Sequence, residues 1–582
     1  MPILVGLYAE PGAPEAHALW SALTARASRG DPIAQAADGP ARVAIYPQHP
    51  GEPARCPDPR APAPTGFPLG FGGDGAGTPP ERLVPPWLVC RYDPARRALL
   101  LETDRHGFAI VYVRVLENRG AHGGRCVAFS TSAAALGRLA PRSDPDPSAI
   151  AELLAFDHLL GARTLRREVT AVPQGAALEI DARDVRFPQR FRYPDLPLDR
   201  TARRAPTAAA LVPLWREGLA TALRARGDAP VLVPLSGGLD SRLIAATALE
   251  AGARIEAFTF GREGTETPDV AIAREVARTL GASSSWQALP LEDDWLVGHA
   301  RRAAALTDGQ LDIIHAHGVS LTGAFPPGRL RLDGLAGDVV LGGSFLRPDL
   351  LAAASPPDRV NLLWRARARL DRRDWIDLLL PEARGDLLRR ARASLVDSLA
   401  PDPAGDPRWS DFWVLRHRIR RFTLNGPLLW SAVARSTFPF FAPGFLDRLL
   451  AVDPRLRQGS ALQADLLWRA WPHMAALPWQ RTGRPVPRGR LREALARRLT
   501  PPAYPPSGTF FDPNAAFRAS PALRAFLRDL LLDPTSGLAR FGCFDRAAVA
   551  RLLGSTEAGS RRGMPQIGVL ATLVLAEELW TR

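Results

Sequence analysis

The sequence predicts an α/β protein made of two folded halves and a helical tail. Three observations lead there. At 582 residues the chain exceeds what one hydrophobic core organises. Its first two hundred residues or so hold short apolar runs parted by Pro/Gly-rich turns. From about residue 205, helix-period and strand-period segments alternate. That is the pattern of a doubly wound parallel sheet with helices on both faces and its ligand at the carboxyl ends of the strands. The divisions read as 1–204, 205–490 and 491–582.

In the first division the strand candidates are Ile3 to Leu7, Arg42 to Tyr46, Leu99 to Glu102, Ala109 to Val115 and Val127 to Ser130, and 50–85 reads as loop. The second opens with an amphipathic helix at Ala208 to Arg224. An apolar strand from Val231 running straight into Ser236, a helix at Leu243 to Leu249, a strand at Arg254 to Phe260 and a helix at Asp269 to Leu280, stopped by Gly281, follow. Residues 491–582 are helical by periodicity with a Pro-rich break at 501–513, and Ile567 to Leu579 is the helix expected to dock onto the preceding division.

Apolar content of 46% and charged content of 23% suit a soluble globular protein. The N-terminus lacks a basic flank with a long apolar run, and no stretch approaches the ~20 apolar residues that span a bilayer, so a cytoplasmic location without membrane contact is expected. Cys56, Cys90, Cys126 and Cys543 are scattered without zinc or redox spacing. The chain has no lysine, so its net charge of +14 is carried by arginine. The arginines are interspersed with carboxylates and not clustered with aromatics, which reads as a solvated surface, with no nucleic-acid partner expected. An anionic substrate stays open.

The chemistry concentrates in Ser236-Gly237-Gly238-Leu239-Asp240-Ser241, between a strand and a helix. Two glycines permit a tight turn whose N–H groups face an anion, the serines add hydroxyls, and the helix N-terminus adds partial positive charge. Asp240 repels phosphate unless a Mg²⁺ ion intervenes. A plain βα turn is the competing reading, and the strand-loop-helix context favours the cradle. The glycine spacing fits neither a Walker-type loop nor the dinucleotide fingerprint. A second glycine-rich stretch runs from Arg331 to Gly343 and contains Asp338.

The hexapeptide resembles the pyrophosphate loop of ATP pyrophosphatases. Upstream, Thr103 to Gly107, Tyr112, Ala128 to Ser132, Phe156 to Leu165 and Val172 to Gly175 follow in the order seen in the asparagine synthetase family, which includes β-lactam synthetases and lasso-peptide macrolactam cyclases. The resemblance implies an N-terminal glutaminase-like Ntn-hydrolase domain of α/β/β/α layering, joined to the ATP pyrophosphatase sheet. It also implies ATP contacts from Leu235, Ser236, Gly237, Gly238, Leu239, Asp240, Ser241, Phe260, Gly261 and Gly334. Mg²⁺ would sit on two buried carboxylates, Asp240 and Asp338. Arg435 to Asp447 also resembles a family segment, Arg followed by Pro-Phe and an apolar helix.

Three departures matter. Where the family's glutaminase carries cysteine after the initiator methionine, position 2 is Pro2, and 45–95 lacks the Asn-Gly oxyanion loop, so the domain is expected to be inactive. Three residues before Asp338, where relatives carry glutamate or tyrosine, stands Leu335. Leu477 to Pro485 corresponds to the stretch holding the family's catalytic lysine; Thr482 falls in that slot, and Arg481 or Arg484 could supply the charge as a bidentate clamp, a plain surface arginine being equally open. The expected activity is an AMP- and pyrophosphate-forming amide synthetase that adenylates a carboxylate and transfers it to an amine of the same substrate. An ammonia-dependent asparagine synthetase and a noncatalytic ATP-binding scaffold are the alternatives. A peptide substrate, a peptide-presenting partner protein and a homodimer stay open.

Overall fold

The computed structural model describes residues 3–9, 16–27, 34–38, 40–46, 68–71, 82–117, 125–139, 144–226, 228–282, 285–353, 355–487, 501–506, 511–535, 537–560 and 563–581; Pro2 lies outside them. The N-terminal half supplies β1 (Ile3–Ala9), β2 (Ala34–Asp38), β3 (Ala41–Tyr46), β4 (Pro68–Phe71), β5 (Leu88–Asp93), β6 (Ala98–Thr103), β7 (Tyr112–Glu117), β8 (Arg125–Ser130), β9 (Thr170–Ala171), β10 (Leu178–Ile180) and β11 (Val185–Arg186). They form two antiparallel sheets, ordered β2-β3-β1-β8-β7-β9 and β11-β10-β6-β5-β4.

Because alternate side chains of a strand share a face, each sheet turns one apolar face inward. Tyr8, Val43, Val113 and Phe129 of the first sheet pack on Leu88, Leu101, Leu178 and Ile180 of the second. Helices Ala16–Ala27 and Ala133–Gly137 cover the first sheet's other face. The second sheet's outer face carries the ion pairs Arg91–Glu102 and Arg96–Glu179, at 2.9 and 3.1 Å, with both arginines largely exposed. The described residues therefore layer as helix, sheet, sheet, and the second helical layer of the expected α/β/β/α arrangement is not among them.

Two expectations for this half need correction. The strand predicted from Ala109 begins only at Tyr112, because the buried Asp104 carboxylate accepts the N–H groups of His106, Phe108 and Ala109 at 3.0 to 3.1 Å and holds that stretch as a turn. The loop expected over 50–85 contains β4, paired with β5. Flanking Pro/Gly-rich sequence hid β4.

In the second half, helix Arg204–Leu223 leads to β12 (Val231–Pro234), β13 (Ile255–Arg262), β14 (Trp286–Leu291), β15 (Arg329–Leu332) and β16 (Ala434–Thr437). All neighbours are parallel, in the order β14-β13-β12-β15-β16. Chain order reverses between β12 and β15, which opens a crevice at the carboxyl ends of these two strands. The loop at Ser236 leaves β12, and the stretch bearing Asp338 leaves β15.

The last helix, Met564–Thr581, contains the predicted docking segment and is buried against helices Trp295–Leu306 and Pro521–Leu532. It also reaches the N-terminal half, where Glu577 pairs with Arg166 at 2.7 Å. The halves are joined as well by Asp308, whose carboxylate accepts Ser132 Oγ, Ala133 N–H and Ala134 N–H at 2.8, 2.9 and 3.1 Å and so caps helix Ala133–Gly137 from across the boundary. Among the described residues no helix is long and apolar enough to cross a membrane.

Candidate active site

The turn from β12 into helix Leu239–Glu250 is held largely by its own residues. Ser236 N–H donates to Ser241 Oγ at 3.1 Å, Gly238 N–H to Ser236 Oγ at 3.2 Å, and Gly237 N–H to Asp269 Oδ1 at 2.8 Å. Sequence reasoning aimed these N–H groups at an anion; the structure instead uses three of them to shape the loop. What faces the crevice is the start of helix Leu239–Glu250, which no side chain caps and whose first turn holds Asp240. An uncapped helix N-terminus favours anionic oxygen by amide geometry and dipole together.

Leu235 is buried, its N–H bonded to Phe258 O and its carbonyl to Thr259 Oγ1. Phe260, half-buried on the adjacent strand, packs on His317 with ring centroids 4.9 Å apart. Gly261 is buried where a Cβ would stand 3.0 Å from Val270 Cγ2.

The second glycine-rich stretch closes on the first. Asp338 N–H bonds to the Asp240 carboxylate. A Cβ at Gly337 would stand 2.7 Å from Asp240 Oδ1 and one at Gly334 3.4 Å from Asp240 Cβ, so Gly337 in particular is what allows this approach. Ala336 takes a left-handed φ of 56°, uncommon for a residue with a Cβ, to start the short helix Gly337–Val340. The turn after Asp338 is braced by the buried Arg457, which donates to Val340 O at 2.8 Å and pairs with Asp411.

Asp240 is half-buried and accepts Gln463 Nε2 at 2.5 Å. Burial, then the neighbouring Asp338 carboxylate, raises its pKa well above the usual range. Asp338 is exposed, which corrects the expectation of two buried acids. The pair is a hard-oxygen donor set open to water on one side and fits Mg²⁺. Among the described residues no group of three or more His, Cys, Asp or Glu forms a metal cluster, so other positions of a Mg²⁺ octahedron would fall to water and phosphate oxygens. Leu335 is only 3% exposed and belongs to the main core; its slot is filled by packing.

The stretch expected to replace the lysine is a small hairpin, β17 (Pro478–Trp479) with β18 (Arg484–Pro485). It meets the loop through Gln480, whose N–H donates to Gly237 O at 3.1 Å. Arg481 is exposed, with its guanidinium 5.5 Å from the centre of the Trp479 ring. Arg484 is half-buried, and its N–H donates to Thr482 Oγ1 at 3.3 Å.

Asp269, Gln463 and Gln480 escaped sequence reasoning. Only Thr267-Pro268-Asp269, a helix-start signature, offered a signal for one of them. Against protein families, the chain matches the one described as asparagine synthase over residues 215–582, more than half of its length and including the tail after 490. Against curated proteins it has no match.

Proposed function

The chain belongs to the asparagine synthase family of ATP-dependent carbon–nitrogen ligases, and from that premise we propose that it closes a lactam or macrolactam within one substrate. The observation behind the reading is the meeting of Asp240 and Asp338, from loops after β12 and β15, at an uncapped helix N-terminus. In this reading the first-turn amides of helix Leu239–Glu250 receive the β- and γ-phosphates, while Leu235 and Phe260 flank the adenine. Asp240 and Asp338 would hold Mg²⁺, which when bound neutralises charge on the pyrophosphate.

A substrate carboxylate oxygen attacks the α-phosphorus, and the bond to the bridging oxygen breaks with loss of pyrophosphate. Arg481 or Arg484 then faces the extra negative charge on the α-phosphate. The substrate's amine attacks the acyl carbon, its proton passes to water, and the acyl–oxygen bond breaks to release AMP.

Two features favour an amine already in the substrate. Leu335 offers no group to deprotonate an amine, so the reaction relies on holding the amine against the acyl carbon, which an amine of the same substrate provides. Cys90, Cys126 and Cys543 are all buried, with burial pushing the Cys543 thiol up to about 12, so none of these described thiols suits the nucleophilic step of glutamine hydrolysis. The N-terminal half then serves as a scaffold. A peptide is the substrate class that best fits a ring-closing enzyme, delivered alone or by a presenting partner.

Isotope exchange between pyrophosphate and ATP with Mg²⁺ tests this. Exchange with source-organism peptides alone supports ring closure. Exchange with aspartate, rising to net turnover with ammonium, replaces it by ammonia-dependent asparagine synthesis. Retained ATP binding with no exchange in any arm replaces it by a noncatalytic scaffold.

A further inference from the structure

Arg242 follows the pyrophosphate loop directly, on helix Leu239–Glu250, and is fully buried. Its guanidinium makes four bonds, all to backbone carbonyls: Gly237 O at 2.9 Å, Met474 O at 3.1 Å, Leu477 O at 3.2 Å, and Pro478 O. One acceptor is in the loop, and the other three line the approach to the hairpin and its first residue. Gly237 O also accepts Gln480 N–H at 3.1 Å, so one loop peptide anchors both the arginine and the hairpin.

Burying a cation is costly, and a side chain of similar volume without charge would pack there more cheaply. The guanidinium instead supplies several fixed donors in one plane, which no lysine or apolar side chain reproduces. Burial lowers its pKa to about 10, with the charges of Glu275 and Asp269 opposing, so it stays charged at neutral pH; among the described residues its guanidinium bonds all go to carbonyls. What the four bonds achieve is a fixed distance between the loop and the first strand of the hairpin, whose turn and second strand carry Arg481 and Arg484.

We propose that Arg242 is a positioning residue for the adenylation reaction, holding the Pro478–Pro485 hairpin so that Arg481 and Arg484 face the phosphates bound at the loop. This rests on the ligase reading above. The hairpin is also held by Trp479 packed on the main core and by Gly483 O accepting Ala503 N–H at 2.8 Å, so Arg242 governs its placement against the loop more than its existence, and substitution should act on phosphate binding before it acts on the adenine end.

The test is calorimetric titration of the whole protein with Mg²⁺–pyrophosphate and, separately, with AMP. Arg242→Met should weaken pyrophosphate about tenfold while AMP stays within about twofold, and Arg242→Lys should fall between. Arg481→Gln combined with Arg484→Gln should weaken pyrophosphate in the wild type and add less in the Arg242→Lys background, because the clamp is already partly displaced. Equal losses for pyrophosphate and AMP, or fully additive losses, would reduce Arg242 to a structural residue and overturn the proposal. If Arg242→Met does not fold, the Lys series decides alone. A wild type that binds neither ATP nor pyrophosphate would overturn the ligase reading and this inference together, whereas normal wild-type binding unaffected by either Arg242 variant overturns the inference only.

Discussion

Gln463 donates its side-chain amide to Oδ1 of Asp240 at 2.5 Å, reaching the first turn of the loop helix from helix Ala461–Ala470. A buried amide bonded to one carboxylate oxygen restricts that side chain's rotamer and so fixes the direction in which it meets a cation. Such outer contacts typically change metal affinity by about 10–100-fold. Asp240→Asn is expected to remove Mg²⁺-dependent pyrophosphate exchange with an unchanged circular dichroism spectrum. Gln463→Leu should keep the activity but require about tenfold more Mg²⁺ for half-maximal exchange. Full exchange by Asp240→Asn would show the metal assignment to be wrong.

Gly237→Ala tests the packing of the loop. Its Cβ would stand 2.9 Å from Gln480 Cβ and 3.1 Å from Asp269 Oδ1, so either the hairpin or helix Pro268–Thr279 must yield. The expected result is ATP binding weakened by about tenfold or more with a loss of about 1–3 kcal/mol in stability, measured by titration and urea unfolding.

Leu335→Glu asks whether the family's usual acid can be restored. The site is enclosed by the main core, so an ionised carboxylate there lacks both water and a partner. A large fall in melting temperature is expected, with no gain of aspartate- and ammonium-dependent turnover. A folded variant that made asparagine would contradict the packing role assigned to Leu335.

Asp308→Ala removes three acceptor contacts across the boundary between the halves. It should cost about 2–4 kcal/mol, whereas Asp308→Asn, which tolerates the left-handed φ of 51° and keeps part of the cap, should cost less. Thermal unfolding of both variants beside the wild type measures the difference.

Burial, and then the nearby Asp157, raise Asp312 to about 8, with Arg369 opposing. The unfolded chain loses this proton near the usual carboxylate value, while the folded chain keeps it up to about pH 8. Between those pH values the folded state holds more protons, so this group's contribution to stability falls as pH rises and levels off above about 8. Asp312→Asn should remove that slope, raising the melting temperature at pH 8 more than at pH 5. Parallel curves for variant and wild type would refute the assignment.

The chemistry of the crevice was legible where it is local. Gly237, Gly238 and Asp240 lie in one short run after an apolar strand, and Asp338 lies in another, so residue types and spacing sufficed. The doubly wound sheet was legible for the same reason, through alternating periodicity. Contacts made across long separations were not. Gln463 sits at an ordinary position of a helix, and Gln480 in a polar hairpin. Arg242 gave only the hint of a lone charge before the apolar run Leu243-Ile244-Ala245-Ala246. The exposure of Asp338 was likewise invisible, because it depends on how two loops meet.

The pairing of Leu232 with Arg331 across β12 and β15 bears on how the protein comes to exist. A chain emerging from the ribosome presents the hexapeptide loop long before its neighbouring strand is made. It then waits for Gln463 and Gln480 before the carboxylate and the hairpin find their anchors. Contacts this distant in sequence form slowly and late. The nascent polypeptide should therefore be unable to sequester nucleotide until most of its length has been translated, and the crevice, more than either sheet, is where misassembly would begin.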